Sequence, residues 1–306
     1  MKKYARKTNG LTAKIDNDNI IKTFKTQAKE PAIRLFVWVF LFLKTKRRCI
    51  YMVRTFCLSS EIDYREVYLN SDLYYKYYEI DNPNNLDIVG FPDGMIDIQV
   101  GLSNGEVAIQ FVGSFLEGKI ATTTSFERCF GIKLRPDVIP VCLIGKMELL
   151  NENMRIDVEE LLDIDREMVQ QIFEESCSVE KKVEIMSTIV KREYIQKQNE
   201  ITAYVIDVVN KKQGNVNVAD IINGLGYSHR YSDTIFKNNV GFTIKKYARI
   251  YRLQEAMNML VDNVENVCYE LGYYDQSHFI HDFKKFSSFT PTAFRNVIVV
   301  GYMKIV

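Results

Sequence analysis

Two short stretches near the C-terminal end carry side chains able to grip a polyanion and to read hydrogen-bonding edges. Ser228, His229, Arg230, Tyr231, Asp233 and Lys237 form the first; Gln276, Ser277, His278, His281, Lys284 and Lys285 form the second. Cationic, imidazole, amide and hydroxyl groups of this kind bond to phosphates and base edges of DNA. His229, His278 and His281 are the only histidines in the chain, so composition excludes a His-ligated metal centre outside these stretches. The six cysteines (Cys49, Cys57, Cys129, Cys142, Cys177 and Cys268) make no C-x-x-C pair and none lies near a His at ligand spacing. They read as scattered thiols of a reducing compartment, with Cys129 and Cys142 in apolar strands and expected to be buried. No G-x-S-x-G, P-loop or dinucleotide fingerprint occurs. Asp93, Asp97 and Glu106 could form a carboxylate pair, but they are expected to be exposed turn acids. No catalytic residue, metal or cofactor is expected, and the chain is not expected to be an enzyme.

Helices must hold these residues in place. Asn199 to Lys212 has Ile201, Val205, Val208 and Val209 at helical spacing and stops at Gly214. Val218 to Leu225 predicts a second helix, Gly226-Tyr227 a turn, and Ser228 the cap of a third helix running to about Asn238. Two helices joined by a tight glycine turn make a helix-turn-helix, whose second helix enters the major groove N-terminal end first. The pattern repeats with a helix from Val264 to Leu271, the turn Gly272-Tyr273, and a helix from Gln276 to Phe286 whose buried stripe is Phe279, Phe283 and Phe286. The two Gly-Tyr turns lie 46 residues apart. A helix from about Thr243 to Val261, about 29 Å long at 1.5 Å per residue, joins the two units. Successive major grooves on one DNA face lie about 34 Å apart, within reach of one chain. Lys245, Lys246 and Arg249 on the joining helix face either phosphate or solvent.

This arrangement resembles the AraC/XylS family of bacterial transcription regulators. The stretch G-Y-Y-D-Q-S-H-F-I-H-D-F-K-K-F-S-S-F-T-P-T-A-F-R, Gly272 to Arg295, carries the resemblance, together with V-G-F-T-I-K-K-Y-A-R-I-Y-R-L-Q-E-A-M, Val240 to Met257. Together they cover about a third of the chain. Gly272, Phe283, Lys284, Pro291 and Arg295 stand where the family pattern has them, as do Arg252 and Ala256. The chain departs from the pattern at Ile222 (usually small), Ser232 (usually leucine), Thr234 (usually arginine) and Cys268 (usually alanine). F-P-D-G-M-I-D-I-Q-V, Phe91 to Val100, with F-V-G-S-F and G-I-K-L-R-P further on, is similar to the β-rich N-terminal domains of one subgroup. The resemblance implies a sensory or oligomerising role there and names no ligand.

The rest of the chain fits around these units. The net charge is +1, unevenly placed: residues 1–51 hold 13 Lys/Arg against 3 Asp/Glu, residues 199–306 hold 12 against 10, and the middle holds 15 against 26. Phosphates repel so acidic a middle, which leaves nucleic-acid work to the two ends. Alternation in Ile96 to Val100, a second strand from Val107 to Val112, and further runs at Lys119 to Thr124 and Arg128 to Leu134 predict a small barrel or sandwich. Helical spacing begins near Asp157 and continues through Met168 to Glu175 and Val179 to Tyr194, in helices that serve either the core or a dimer face. Ala32 to Leu43 is an apolar run of 12 residues that contains Arg34, too short to span a membrane. For residues 1–51 a buried element, a weak surface anchor and a non-native segment upstream of a start at Met52 all stay open.

The expected organisation is therefore α+β. A basic and apolar segment covers 1–51, a β-rich sensor or oligomerisation domain 52–154, a helical connector 155–198, and an all-α double helix-turn-helix 199–298. The expected function is a cytoplasmic transcription regulator, an activator by resemblance, that places two recognition helices in adjacent grooves of a double-stranded DNA operator. RNA polymerase, a small-molecule effector and a second copy of the chain are the expected partners, with no membrane. The alternatives are an architectural DNA-binding protein without effector and an enzyme fused to a DNA-binding domain. Some DNA-repair methyltransferases carry similar helices, but they need a reactive cysteine.

Overall fold

The computed structural model describes residues 56–59, 61–84, 86–121, 126–148, 150, 155–157, 165–189, 195–262, 264–299 and 303–305. The readings for residues 1–51, for the helical start at 158–164 and for the end of the run at 190–194 lie outside the described residues. The architecture is α+β, with a β-rich N-terminal region and a helical C-terminal one.

The main sheet has six antiparallel strands in the order β10-β6-β5-β8-β3-β2. They are β2 (Asp63–Tyr68), β3 (Tyr74–Asp81), β5 (Asp97–Ser103), β6 (Glu106–Val112), β8 (Arg128–Leu134) and β10 (Arg155–Asp157). β5 and β6 form a hairpin through Asn104-Gly105, both at positive φ, as the turn residues predict. A second sheet, in the order β12-β1-β4-β7, joins Phe56–Ser59 (β1), Ile88–Gly90 (β4), Lys119–Ala121 (β7) and Met303–Ile305 (β12). Val138–Pro140 (β9) pairs with Ile195–Lys197 (β11).

Alternation gives the six-stranded sheet two unlike faces. One face is apolar: Tyr77, Ile98, Val100, Ile109, Phe111, Phe130 and Ile132 are buried under the helices α1 (Arg166–Gln170) and α2 (Val179–Ile189), which contribute Val169, Ile185, Met186 and Ile189. The other face meets the second sheet through Leu58, Tyr78, Ile80, Ile88 and Cys129. It also buries Lys76, Asp97, Gln99, Gln110 and Lys133. Lys133 Nζ donates to Asp93 Oδ2 at 2.7 Å and to Asp97 Oδ2 at 2.9 Å. Lys76 Nζ donates to Glu66 Oε2 at 2.5 Å. Gln99 Nε2 donates to the Tyr78 hydroxyl, and Gln110 Nε2 to Gln99 Oε1. This corrects the expectation for the acids. Glu106 is exposed in the hairpin turn, but Asp93 and Asp97 are buried because a lysine 36 to 40 residues away neutralises them. Cys142 is also corrected: it is only partly buried, within a short 3-10 turn, whereas Cys129 is buried.

The stretch expected as a helical connector is not purely helical. β10 and β11 lie within it and pair with β6 and β9, and its helices complete the sheet's own apolar core. Strands of three residues carry too little alternation to register against a helical background.

The helical region follows as α3 (Glu200–Lys211), α4 (Val218–Leu225), α5 (His229–Val240), α6 (Ile244–Val261), α7 (Val267–Glu270), α8 (Gln276–Ser287) and α9 (Pro291–Val299). Their core joins Val205, Val209, Ile221, Ile222, Phe236, Ile250, Leu253, Met257, Phe279, Phe283 and Phe294. α7 is a single turn rather than the helix from Val264 to Leu271 that periodicity predicts. Asn266 enters at φ 60, a left-handed conformation that interrupts the expected helix ahead of Val267.

Candidate nucleic-acid interface

Each recognition helix starts on a side-chain cap. Ser228 Oγ accepts from the Tyr231 amide at 3.3 Å, and Asp275 Oδ1 accepts from the His278 amide at 2.7 Å. Ahead of each cap the chain turns through a glycine, Gly226 at φ 71 and Gly272 at φ 69. A side chain is strained at that φ, and a Cβ on Gly272 would also lie 2.2 Å from Asn215. The second tyrosine of the repeat does not behave alike. Tyr273 is buried under Arg252, whose guanidinium lies 5.1 Å from the ring centroid, whereas Tyr227 is 54% exposed and rests against Tyr231.

α6 touches both helices, α5 at Ile244 and Tyr247 and α8 at Arg249. It runs unbroken for 18 residues, about 27 Å, from a Thr243 cap. Midway along it Arg252 Nη2 donates to Gly214 O at 2.9 Å, tying α6 to the end of α3. Arg249 holds Asp282 of α8 through two hydrogen bonds, the Nε to Oδ2 one at 3.2 Å, and lies over the Phe286 ring. Arg249 is thereby spoken for within the fold. Lys245 is exposed, while Lys246 is partly covered over the Phe242 ring, and burial pulls its pKa down.

The structure exposes Ser228, His229, Arg230 and Tyr231 together at the start of α5. It turns the other two candidates of that helix elsewhere. Asp233 Oδ1 accepts from the Ile244 amide at 3.0 Å, helping to start α6, and Lys237 pairs with Glu148 of the β-rich region at 2.7 Å. On α8 all six candidates, Gln276, Ser277, His278, His281, Lys284 and Lys285, are exposed, while Phe279, Asp282, Phe283 and Phe286 are buried. His278 packs edge-on against Tyr273, and both α8 histidines lie near the Asp282 carboxylate, at 3.9 and 4.0 Å. Two exposed aromatics escaped the sequence reading: Tyr227, and Tyr274, which is 92% exposed just before the α8 cap.

The departures from the family pattern also find their places. Ser232 is fully buried where a leucine is usual, and its hydroxyl has no hydrogen-bond partner among the described residues. Ile222 and Cys268 are buried, and Thr234 is exposed.

Two capped, outward-facing helices, each preceded by a glycine turn and held by one long helix, define a double helix-turn-helix domain. Residues 221–296 match the family described as "Helix-turn-helix domain". The C-terminal region is a helix-turn-helix domain of the AraC type. Similar curated proteins include an uncharacterized response regulatory protein of Staphylococcus epidermidis, 28% identical over 96 residues, which are 31% of this chain and 37% of that protein. The transcriptional regulatory protein HptR of Staphylococcus aureus is 26% identical over 91 residues, 29% of this chain and 36% of its own. The chain thus spans a little over a third of the length of the curated relatives it matches. Among solved structures, the C-terminal domain of AraT, a response regulator from Geobacillus stearothermophilus, is 19% identical. The match covers 33% of this chain and 88% of that domain, with a TM-score of 0.31. ToxT from Vibrio cholerae is 12% identical, covering 79% of this chain and 98% of ToxT, with a TM-score of 0.36. Among the described residues no helix is long and apolar enough to cross a membrane, and no cluster of His, Cys, Asp and Glu could hold a metal ion.

Proposed function

We propose that this protein is a sequence-specific DNA-binding transcription regulator that places α5 and α8 in adjacent major grooves of one operator face, under control of its β-rich region. The observation that carries this reading is the exposure of two recognition-helix faces held on one helix, α5 beside Ile244 and Tyr247 of α6 and α8 beside Arg249.

The two readers are unequal. α8 offers six exposed polar or cationic candidates, and α5 offers four at its first turn. With Asp233 bonded to the Ile244 amide and Lys237 in a surface ion pair with Glu148, α5 reads through Arg230 and Tyr231, flanked by His229, Ser228 and the added Tyr227. α8 carries most of the base discrimination and, through Lys284 and Lys285, most of the phosphate attraction. Activation through contact with RNA polymerase is the expected output, with a small-molecule effector or a second copy of the chain acting through the β-rich region.

The test is to bind the purified chain to fragmented host DNA and recover what it retains. Transcription from those fragments by purified RNA polymerase should rise when the chain is added. Recovery without enrichment, or transcription that does not respond, would contradict the proposal.

A further inference from the structure

The β-rich region reaches into the helical core at two places. One is the loop 91–95. Phe91 is fully buried against Phe289 and Phe294, with centroids 6.4 and 6.0 Å away. The carbonyl of Pro92 accepts from Gln254 Nε2 of α6 at 2.6 Å. Gly94 sits flat on Tyr247 of α6: at φ 73 it adopts a glycine conformation, and a Cβ there would be 2.7 Å from the ring. Tyr247 in turn lies edge-on to Phe236 of α5, at 5.4 Å. The second place is Gly118, whose amide donates to Phe286 O and whose carbonyl accepts from Ser288 Oγ, both at 2.6 Å, at the far end of α8.

The loop 91–95 is held from behind by a charge. Asp93 Oδ2 accepts from Lys133 Nζ inside the six-stranded sheet, its Oδ1 accepts from the Met95 amide, and the amides of Asp93 and Gly94 both donate to Ser114 Oγ. Lys133 is 1% exposed and divides itself between Asp93 and Asp97, whose Oδ1 has no partner among the described residues. Burial disfavours charge on Lys133, but the two carboxylates outweigh it and hold its pKa above the ordinary lysine range. A neutral sheet core would be cheaper to bury than this cluster. Its geometric effect is to fix the loop that touches both Tyr247 and Gln254.

We propose that Asp93, gripped by Lys133, is a positioning residue: it presses the loop 91–95 onto α6 and thereby sets the spacing at which α5 and α8 meet DNA. The spacing half of this inference rests on the proposed DNA reading; the mechanical half does not. The interior of the β-rich region is thereby linked to α5 through named contacts, Lys133 to Asp93, Gly94 to Tyr247, and Tyr247 to Phe236. Anything that competes for Lys133 inside the sheet loosens the same loop.

The test uses the full chain with Asp93→Asn, which leaves Lys133 paired to Asp97, and Gly94→Ala, which leaves the ion cluster intact and pushes on Tyr247. Without DNA, hydrogen–deuterium exchange should rise about tenfold across the first half of α6 and across α5 in both variants. Exchange in β5 and β8 should stay at the wild-type rate. Unchanged exchange in α6, or a rise spread equally over β5 and β8, would overturn the tie. On duplexes in which the two recognised blocks are moved apart base pair by base pair, the variants should lose the wild-type preference for one spacing at least several-fold. A preference that both variants retain would overturn the spacing role. A wild-type protein indifferent to spacing would overturn that role together with the DNA reading, while the exchange data still decide the tie.

Discussion

Arg249 on α6 and Asp282 on α8 face each other in a two-pronged ion pair that is nearly closed to solvent on the carboxylate side, 7% exposed for Asp282 against 32% for Arg249. The pair joins the long helix between the two units to the helix that carries most of the exposed candidates. Removing the arginine leaves a buried carboxylate without its cation. Arg249→Met should cost about 2 kcal/mol of stability, less than for a fully buried pair because Arg249 is partly wet. Asp282→Asn should cost less, because a neutral amide still accepts one bond. Chemical denaturation midpoints check the ranking.

Base reading is expected to centre on α8. Replacing His281 and Lys284 together with alanine should weaken operator binding. His281→Ala alone should relax preference at one base position by about 1–3 kcal/mol. Competition binding with single-base variants of the selected site measures this, and an unchanged preference profile would demote His281 to a backbone contact.

Lys285 is exposed near the C-terminal end of α8, away from the start of the helix. Its replacement by glutamine should lower affinity for all sequences alike. The slope of log affinity against log salt should fall by about one unit. A slope equal to that of wild type would make Lys285 a solvated surface residue.

Ser232 buries a hydroxyl that has no hydrogen-bond partner among the described residues. An unsatisfied buried donor is a cost, and alanine is the better helix former. Ser232→Ala should therefore raise stability by about 1 kcal/mol, read as a shift in the urea midpoint with no change in slope.

Alkaline pH should unfold the protein through its buried phenols. Burial, with Asp282 nearby, pushes Tyr273 up to about 12, and burial does the same for Tyr77. A folded-state pKa above the unfolded value of about 10 means stability that is complete below pH 10 and is lost as pH rises toward 12. Tyr273→Phe should flatten part of that decline in a denaturation series from pH 9 to 12.

Much of the helical region was legible in the sequence because its boundaries are written locally. Asn199, Asn217, Ser228 and Thr243 each accept from an amide two or three residues on, and Gly214, Gly226 and Gly241 take the positive φ that ends a helix. The Phe279, Phe283 and Phe286 stripe shows in its spacing and is buried. Long-range partners were not legible. Nothing near Asp93 or Asp97 announces Lys133, and nothing near Ile195 announces β9. For the same reason the intramolecular partners of Asp233 and Lys237 were not legible. Their partners, the Ile244 amide and Glu148, lie beyond the helix that carries them. Asn266 could be read as a residue tolerant of left-handed backbone, but not as one that adopts it.

The most direct test of the double-reader account is a selection of bound sequences from random double-stranded DNA, with the full chain at physiological salt. The account predicts an enriched site with two conserved blocks about one helical turn apart, the block under α8 the more constrained. A pool that shows no enrichment over input, or a site with a single block that no spacing requirement extends, would contradict it.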